Sequence, residues 1–337
     1  METMKAAVLY DVRDLRTVDV PKPDAGDNGV LVRVNTVGVC GTDLHTYKKG
    51  MFKEMSLPQE EGVLFGHEFA GDVAAIAPNA NVEGIRVGDR VVGMALGAYA
   101  EFCNVTPILG DKPLIMKLPD NVSYEEAATV EPLVVSLSAV QRANLQPGER
   151  VLITGAGMIG LGCVQVIKAL HPDCEVIITD VAEKRLEMAR VFGADRTLNV
   201  LEEDLIAEMK ALAGEDFVLY GPTSTGNIDV AIEASGLAGP LNQALELVKP
   251  VTGRLICVAL YEDKPEMDVN QIVSKNLSFL GVLGYTEEDV SRALNLIADG
   301  KVDRKPLITH RYALAEASEA FEAQIDTSET LKAVIKP

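Results

Sequence analysis

No run of about 18 or more apolar residues occurs in the 337-residue chain, so no transmembrane helix is expected. Positive charge is scarce. Against 50 Asp and Glu stand 31 Lys and Arg, a formal net charge of −19, and no basic run offsets it. A nucleic-acid binder carries a basic footprint, and an anionic membrane repels an acidic surface. Neither is expected as a partner. Residues Met1 to Arg16 alternate apolar and charged positions and lack the positive head and apolar middle of a signal peptide. Cysteine is sparse: five residues, at 40, 103, 163, 174 and 257, with no C-x-x-C pair. That is no disulfide framework, and it fits a reducing, cytoplasmic setting. Internal repeats and low-complexity tracts are also missing.

The length suits two domains of about 100–200 residues each. A composition 47% hydrophobic and 24% charged can build their cores without staples. Short β-rich runs fill the first third: Lys5 to Tyr10, Val30 to Asn35, Phe69 to Ile76 and Arg90 to Val92, punctuated by Gly and Pro. They predict a mostly β domain. Ser123 with Glu126 is a capping box that opens a helix. Pro132 predicts a kink or restart before a helix over 134–143.

From Arg150 the pattern changes. Strand candidates at 151–154, 176–179, 229–234 and 254–259 alternate with helical stretches such as 183–192 and 241–248. Such alternation predicts a parallel sheet covered on both faces. After about Gly281 it stops. Amphipathic helices at 287–298 and 314–323 precede a strand-like tail at 331–335.

The run Arg150-Val-Leu-Ile-Thr154 leads straight into Gly155-Ala-Gly157-Met158-Ile159-Gly160, then an apolar helix, then a strand ending at Asp180. This is the dinucleotide fingerprint in full order. Gly155 permits the tight turn, Gly157 lets backbone approach a pyrophosphate, and Gly160 lets helix and strand pack closely. The helix opening at Met158 and Ile159 offers N–H groups and a positive dipole end to phosphate. Asp180 can accept the ribose hydroxyls of NAD and repels the 2′-phosphate of NADP, although Arg185 can reach the same region. NAD is the expected cofactor, with NADP second.

Metal-type donors lie in three islands: Gly38-Val-Cys40-Gly-Thr42-Asp43-Leu-His45, Gly66-His67-Glu68-Phe-Ala-Gly71, and Val130-Glu131-Pro132. Thiolate, imidazole and carboxylate together suit zinc, and an open position makes such a site catalytic. Taken singly, Cys40 is better read as a buried small residue, His67 as a satisfied core histidine and Glu131 as a solvated helix acid.

Together the islands, the later glycine loop and their order resemble the zinc-dependent medium-chain dehydrogenase/reductase family over nearly the whole chain. The resemblance implies an α/β fold. A GroES-like, mostly β catalytic domain over 1–132, completed by 284–337, joins a Rossmann domain, a doubly wound parallel sheet, over 133–283. It implies Cys40 and His67 as constant zinc ligands. Glu68 ligates zinc in some members and exchanges with water. Glu131, in a Glu-Pro-Leu setting like the polyol, butanediol, threonine and glucose dehydrogenase branches, either binds zinc or holds a zinc-bound water. Asp43 resembles the carboxylate that orients the His67 ring. The family's four-cysteine lobe is missing, since Gly88-Asp-Arg-Val91 runs almost directly into Gly97-Ala-Tyr-Ala-Glu101. One catalytic zinc and no structural zinc are therefore expected. The loop 219–226 looks longer than usual.

The implied activity is hydride transfer between NAD(H) and a secondary alcohol, with a polyol, vicinal diol, sugar or threonine-like compound as small-molecule substrate. Thr42 takes the hydroxyl proton and passes it along the nicotinamide ribose to His45, whose pKa suits the solvent end of a relay. Tyr47, Phe52, Leu96, Tyr99 and Leu283 are the expected pocket positions. The alternative is a non-catalytic or zinc-free relative, a dinucleotide sensor or a quinone-reductase-like protein. His171, His310, Cys163 and Glu101 are read as structural. The apolar run 277–283, as an edge strand, invites pairing with a second copy, so a homodimer or homotetramer is expected.

Overall fold

Antiparallel pairing organises the N-terminal third, where the short apolar runs form the strands Thr3–Asp11, Val30–Gly38, Glu68–Ile76 and Arg90–Gly93. The computed structural model describes residues 2–108, 110–213 and 225–337. Of the loop 219–226, residues 219–224 lie outside the described residues. The chain divides into two compact units, Met1–Pro132 with Val290–Pro337, and Leu133–Asp289.

In the first unit Val30–Gly38 is the central strand. It pairs with Glu68–Ile76, Phe102–Val105 and Lys332–Lys336, all antiparallel. Val32, Val34 and Thr36 are buried while Arg33 and Asn35 face out, the period-two alternation of a strand. A core of valines and aromatics, including Phe65, Phe69, Tyr99 and Phe321, packs against it. Two register pairs matter for the site. Gly38 lies opposite Glu68, and Val334 lies opposite Gly38. The late segment therefore threads into the sheet beside the donor islands.

The second unit holds a six-stranded parallel sheet in the order Arg196–Asn199, Glu175–Asp180, Arg150–Thr154, Val230–Glu233, Arg254–Cys257, Ser278–Gly281. Val151, Leu152 and Ile153 are fully buried, as strands covered on both faces require. The order reverses direction at Arg150–Thr154, the topological switch point where such sheets bind ligands.

Three local readings change. Of the kink or restart expected at Pro132, the restart is what forms, and it comes two residues earlier, at Val130. Pro132 sits in the first turn of Val130–Ala143, where its missing N–H costs nothing. The edge strand Arg196–Asn199, short and largely polar, carried too weak an apolar signal to be seen. The stretch 314–323 starts as a 3₁₀ turn at Leu314–Glu316 before the helix Ala317–Ile325. The capping box at Ser123 forms as its spacing predicts, with both reciprocal hydrogen bonds.

Candidate metal and active site

The antiparallel pairing of Gly38 with Glu68 brings two sequence islands together. Beyond Gly38 the chain turns into the helix Gly41–Lys49, with Cys40 at its N-cap. A thiol there meets the positive end of the helix dipole. His67 and Glu68 stand at the start of the opposing strand, and Glu131 lies in the first turn of Val130–Ala143. One donor atom from each of Cys40, His67, Glu68 and Glu131 lies within 4.8 Å of the others. One thiol, one imidazole and two carboxylates are a borderline-soft set that fits zinc.

Charge and burial act together on this cluster. Burial, followed by the Glu68 charge, pushes the Cys40 thiol up, and His67 pulls it down. Burial works against protonation of His67, yet Asp43 and Cys40 outweigh it and hold the imidazole well above its ordinary range. Asp43 Oδ1 lies 3.5 Å from His67 Nδ1, so Nε2 is the ring nitrogen left for a metal. The other carboxylate oxygen accepts from Tyr99 Oη at 2.7 Å. Thr42 and His45 sit three residues apart on the Gly41–Lys49 helix and so share a face. Both are half-buried, whereas Asp43, Thr46 and Tyr47 on that helix are buried. The His45 ring meets Phe52 edge-on, with centroids 6.4 Å apart.

A side chain at position 38 would have to displace the ends of Glu68 and Lys332. A Cβ there would come within 2.5 Å of Glu68 Oε2 and 2.8 Å of the Lys332 side chain. Lys332 forms a buried ion pair with Glu68 and donates to Val39 O at 2.7 Å.

In the second unit the glycine loop has the geometry that its spacing predicts. Gly155 has φ +92°, a left-handed conformation open to glycine. A Cβ on Gly160 would fall 1.9 Å from Gly155 O, so helix and loop touch backbone to backbone. Met158 and Ile159 open the helix Met158–Leu170 behind Gly157. Asp180 does more than mark the strand end. Its carboxylate accepts from Ala156 N at 2.7 Å, Val181 N at 2.8 Å and Ala182 N at 2.9 Å, tying the glycine loop to the next strand. Arg185 reaches back to this loop, with Nη1 3.8 Å from where a Gly157 Cβ would stand.

Residues 26–120 match the alcohol dehydrogenase GroES-like domain family, and residues 159–299 match the zinc-binding dehydrogenase family. The sorbitol dehydrogenase of Bacillus subtilis is 31% identical over 362 aligned residues, spanning 100% of this chain and 98% of that one. The chain belongs to the zinc-dependent medium-chain dehydrogenase family. Within the family it falls in the polyol-type branch. The solved 2R,3R-butanediol dehydrogenase of Bacillus subtilis superposes with a TM-score of 0.82, 27% identity and 99% coverage of both chains. A dehydrogenase from Sinorhizobium meliloti, solved bound to NADP, superposes with a TM-score of 0.82, 25% identity and 100% coverage of both.

For a member of this dehydrogenase family, the islands converge as donor chemistry demands, but two residues escaped the sequence reading. Lys332 is a lysine inside an apolar tail strand, a weak signal that only the sheet register explains. Tyr99, expected to line the substrate pocket, is fully buried and turned toward Asp43. Tyr47 is likewise a core residue, 1% exposed, and its hydroxyl donates to Glu322. Leu283 lies at the other extreme, 89% exposed.

Proposed function

We propose that the protein is a zinc-dependent dehydrogenase that moves a hydride between a nicotinamide dinucleotide and a secondary hydroxyl of a polyol or vicinal diol. The observation that carries this reading is the Cys40, His67, Glu68 and Glu131 cluster beside a helix that also bears Thr42 and His45. The similarity to a sorbitol and a butanediol dehydrogenase supports the substrate class. When bound, zinc supplies Lewis acidity to a substrate hydroxyl, and the dinucleotide supplies the carbon that accepts hydride.

The chain's own residues do the rest. Cys40, His67 and Glu131 hold the metal, and Glu68 serves as an additional carboxylate restrained by Lys332. Asp43 keeps His67 in the tautomer whose Nε2 ligates. Thr42 Oγ1 accepts the hydroxyl proton as its own proton passes on toward His45, and the His45 imidazole takes up that proton and releases it to solvent. Gly155, Gly157, Met158, Ile159 and Gly160 form the backbone cradle for the pyrophosphate, with the helix N-terminus facing it. Asp180 favours NAD by repelling a 2′-phosphate, while Arg185 beside the loop provides a compensating positive charge. One zinc per chain is our reading, at this cluster.

A second copy completes the assembly. Ser278–Gly281 ends the parallel sheet, with Phe279 and Leu280 half-buried, and it would pair with its own copy across a two-fold axis.

Zinc-loaded protein, given NAD or NADP and a panel of sorbitol, xylitol, 2,3-butanediol, glucose and threonine, tests the reading through reduced-cofactor absorbance. Turnover is expected with a polyol or diol and NAD. A metal-loaded protein that binds dinucleotide but oxidises none of these alcohols would overturn it in favour of a sensor.

A further inference from the structure

We infer that Tyr99 is a positioning residue of the metal centre, acting on His67 through Asp43. The inference rests on the metal-site reading above. The phenol is the far end of a chain of contacts. Its hydroxyl lies 2.7 Å from Asp43 Oδ2, and the second oxygen of that carboxylate faces His67 Nδ1 at 3.5 Å. The same hydroxyl lies 3.0 Å from Gly38 O, two residues before Cys40. A phenol has one proton to give. The shorter contact and the charged acceptor assign it to Asp43. Burial, and then the Asp43 charge, hold this phenol well above its ordinary range, so it stays a donor.

The ring itself is fixed. Tyr99 is fully buried, edge-on to Phe65 and Phe321 with centroids 5.1 Å and 5.2 Å away. Gly66, directly before His67, lies against the ring. A Cβ there would sit 2.6 Å from the ring, and the residue holds φ +101°. Backbone hydrogen bonds fasten the two segments, Ala98 N to Gly66 O at 3.0 Å and Tyr99 N to Phe65 O at 3.2 Å.

One side chain thus meets the backbone before Cys40, the backbone before His67, and the carboxylate behind His67. Asp43 alone could turn about its terminal torsion, which is broad and soft. With Oδ2 held by a rigid phenol, Oδ1 is aimed at Nδ1, and the imidazole is pinned in both tautomer and direction. The short segment 94–101, which carries Tyr99 between two strands, is therefore part of the metal centre although it supplies no ligand.

The test compares zinc-loaded wild type, Tyr99→Phe, Asp43→Asn and the double variant. Zinc retention is measured by equilibrium competition with a chromophoric chelator, and cobalt-substituted samples report ligand geometry by visible absorption. Tyr99→Phe is expected to weaken zinc retention by about 10- to 100-fold and to shift the cobalt bands. On the Asp43→Asn background the same change should add no more than about twofold. A Tyr99→Phe protein that holds zinc within about twofold of wild type overturns the inference, as does an equal loss on the Asp43→Asn background. Should Tyr99→Phe fail to accumulate folded, Asp43→Asn decides alone, since undiminished zinc retention there also overturns it. A wild type that binds no zinc overturns the metal-site reading itself, a different result.

Discussion

Lys332 and Glu68 face each other as an ion pair in which each side chain is only 1% exposed. The ammonium also donates to Val39 O, one residue before Cys40. Removing one member of a buried pair strands the other charge. Lys332→Met should therefore cost about 3–5 kcal/mol of stability, measured by urea unfolding of the metal-free protein. Adding Glu68→Gln should recover a large part of that loss. If Lys332→Met unfolds at the wild-type midpoint, the pair contributes nothing to stability.

Cys40→Ser and His67→Ala each remove a donor from the cluster within 4.8 Å. Both variants should lose bound zinc and measurable turnover together, and wild type should carry one equivalent by elemental analysis. Two tightly held equivalents in wild type would contradict the single-site reading. So would a variant that keeps its metal.

Asp180→Ser removes the carboxylate that disfavours a 2′-phosphate. The ratio of kcat/KM for NAD over NADP should fall by about tenfold, equivalent to 1.4 kcal/mol. Because the same carboxylate accepts from Ala156, Val181 and Ala182, KM for both cofactors should rise as well. The ratio isolates charge from scaffold. Better use of NADP than NAD by wild type would assign the choice to Arg185.

Hydrogen bonding from Arg311, opposed by burial and aided by Lys336, brings Glu125 from 4.5 down to about 2. A depressed folded-state pKa gives stability that is present above the unfolded value and lost as pH falls through the folded one. Stability from this carboxylate should therefore decline between about pH 4.5 and pH 2. Glu125→Gln should flatten the unfolding midpoint over that window while leaving the slope above pH 5 unchanged. Identical acid profiles for the two proteins would remove Glu125 from the account.

Local features were readable because their signals are local. Thr154 to Gly160 carries its turn, cradle and helix start in consecutive residues, and Ser123 with Glu126 forms its cap within one turn. The donors Cys40, His67, Glu68 and Glu131 were readable as residue types; the sheet register brings the first two islands together, and the start of the helix Val130–Ala143 adds Glu131. Lys332 and Tyr99 were not readable in their roles. Lys332 is 264 residues from Glu68, and Tyr99 is 56 from Asp43. Such pairings depend on which strands become neighbours, and nothing near either residue announces that. Tyr99 misled because an aromatic in a short loop between two strands serves a pocket wall and a packed core equally well.

The Lys332–Lys336 strand also sets an order of events during synthesis. Every metal donor in the cluster lies at or before Glu131, and the ribosome adds Lys332 only 201 residues later. In between it makes the whole of Leu133–Asp289, a unit with its own core. Domains generally fold as units while translation proceeds. The nascent chain thus holds its thiol, imidazole and carboxylates for a long interval with the strand opposite Gly38 still unmade. Glu68 stands in that interval without its lysine. Closure of the metal centre therefore waits until the whole of Leu133–Asp289 has been made.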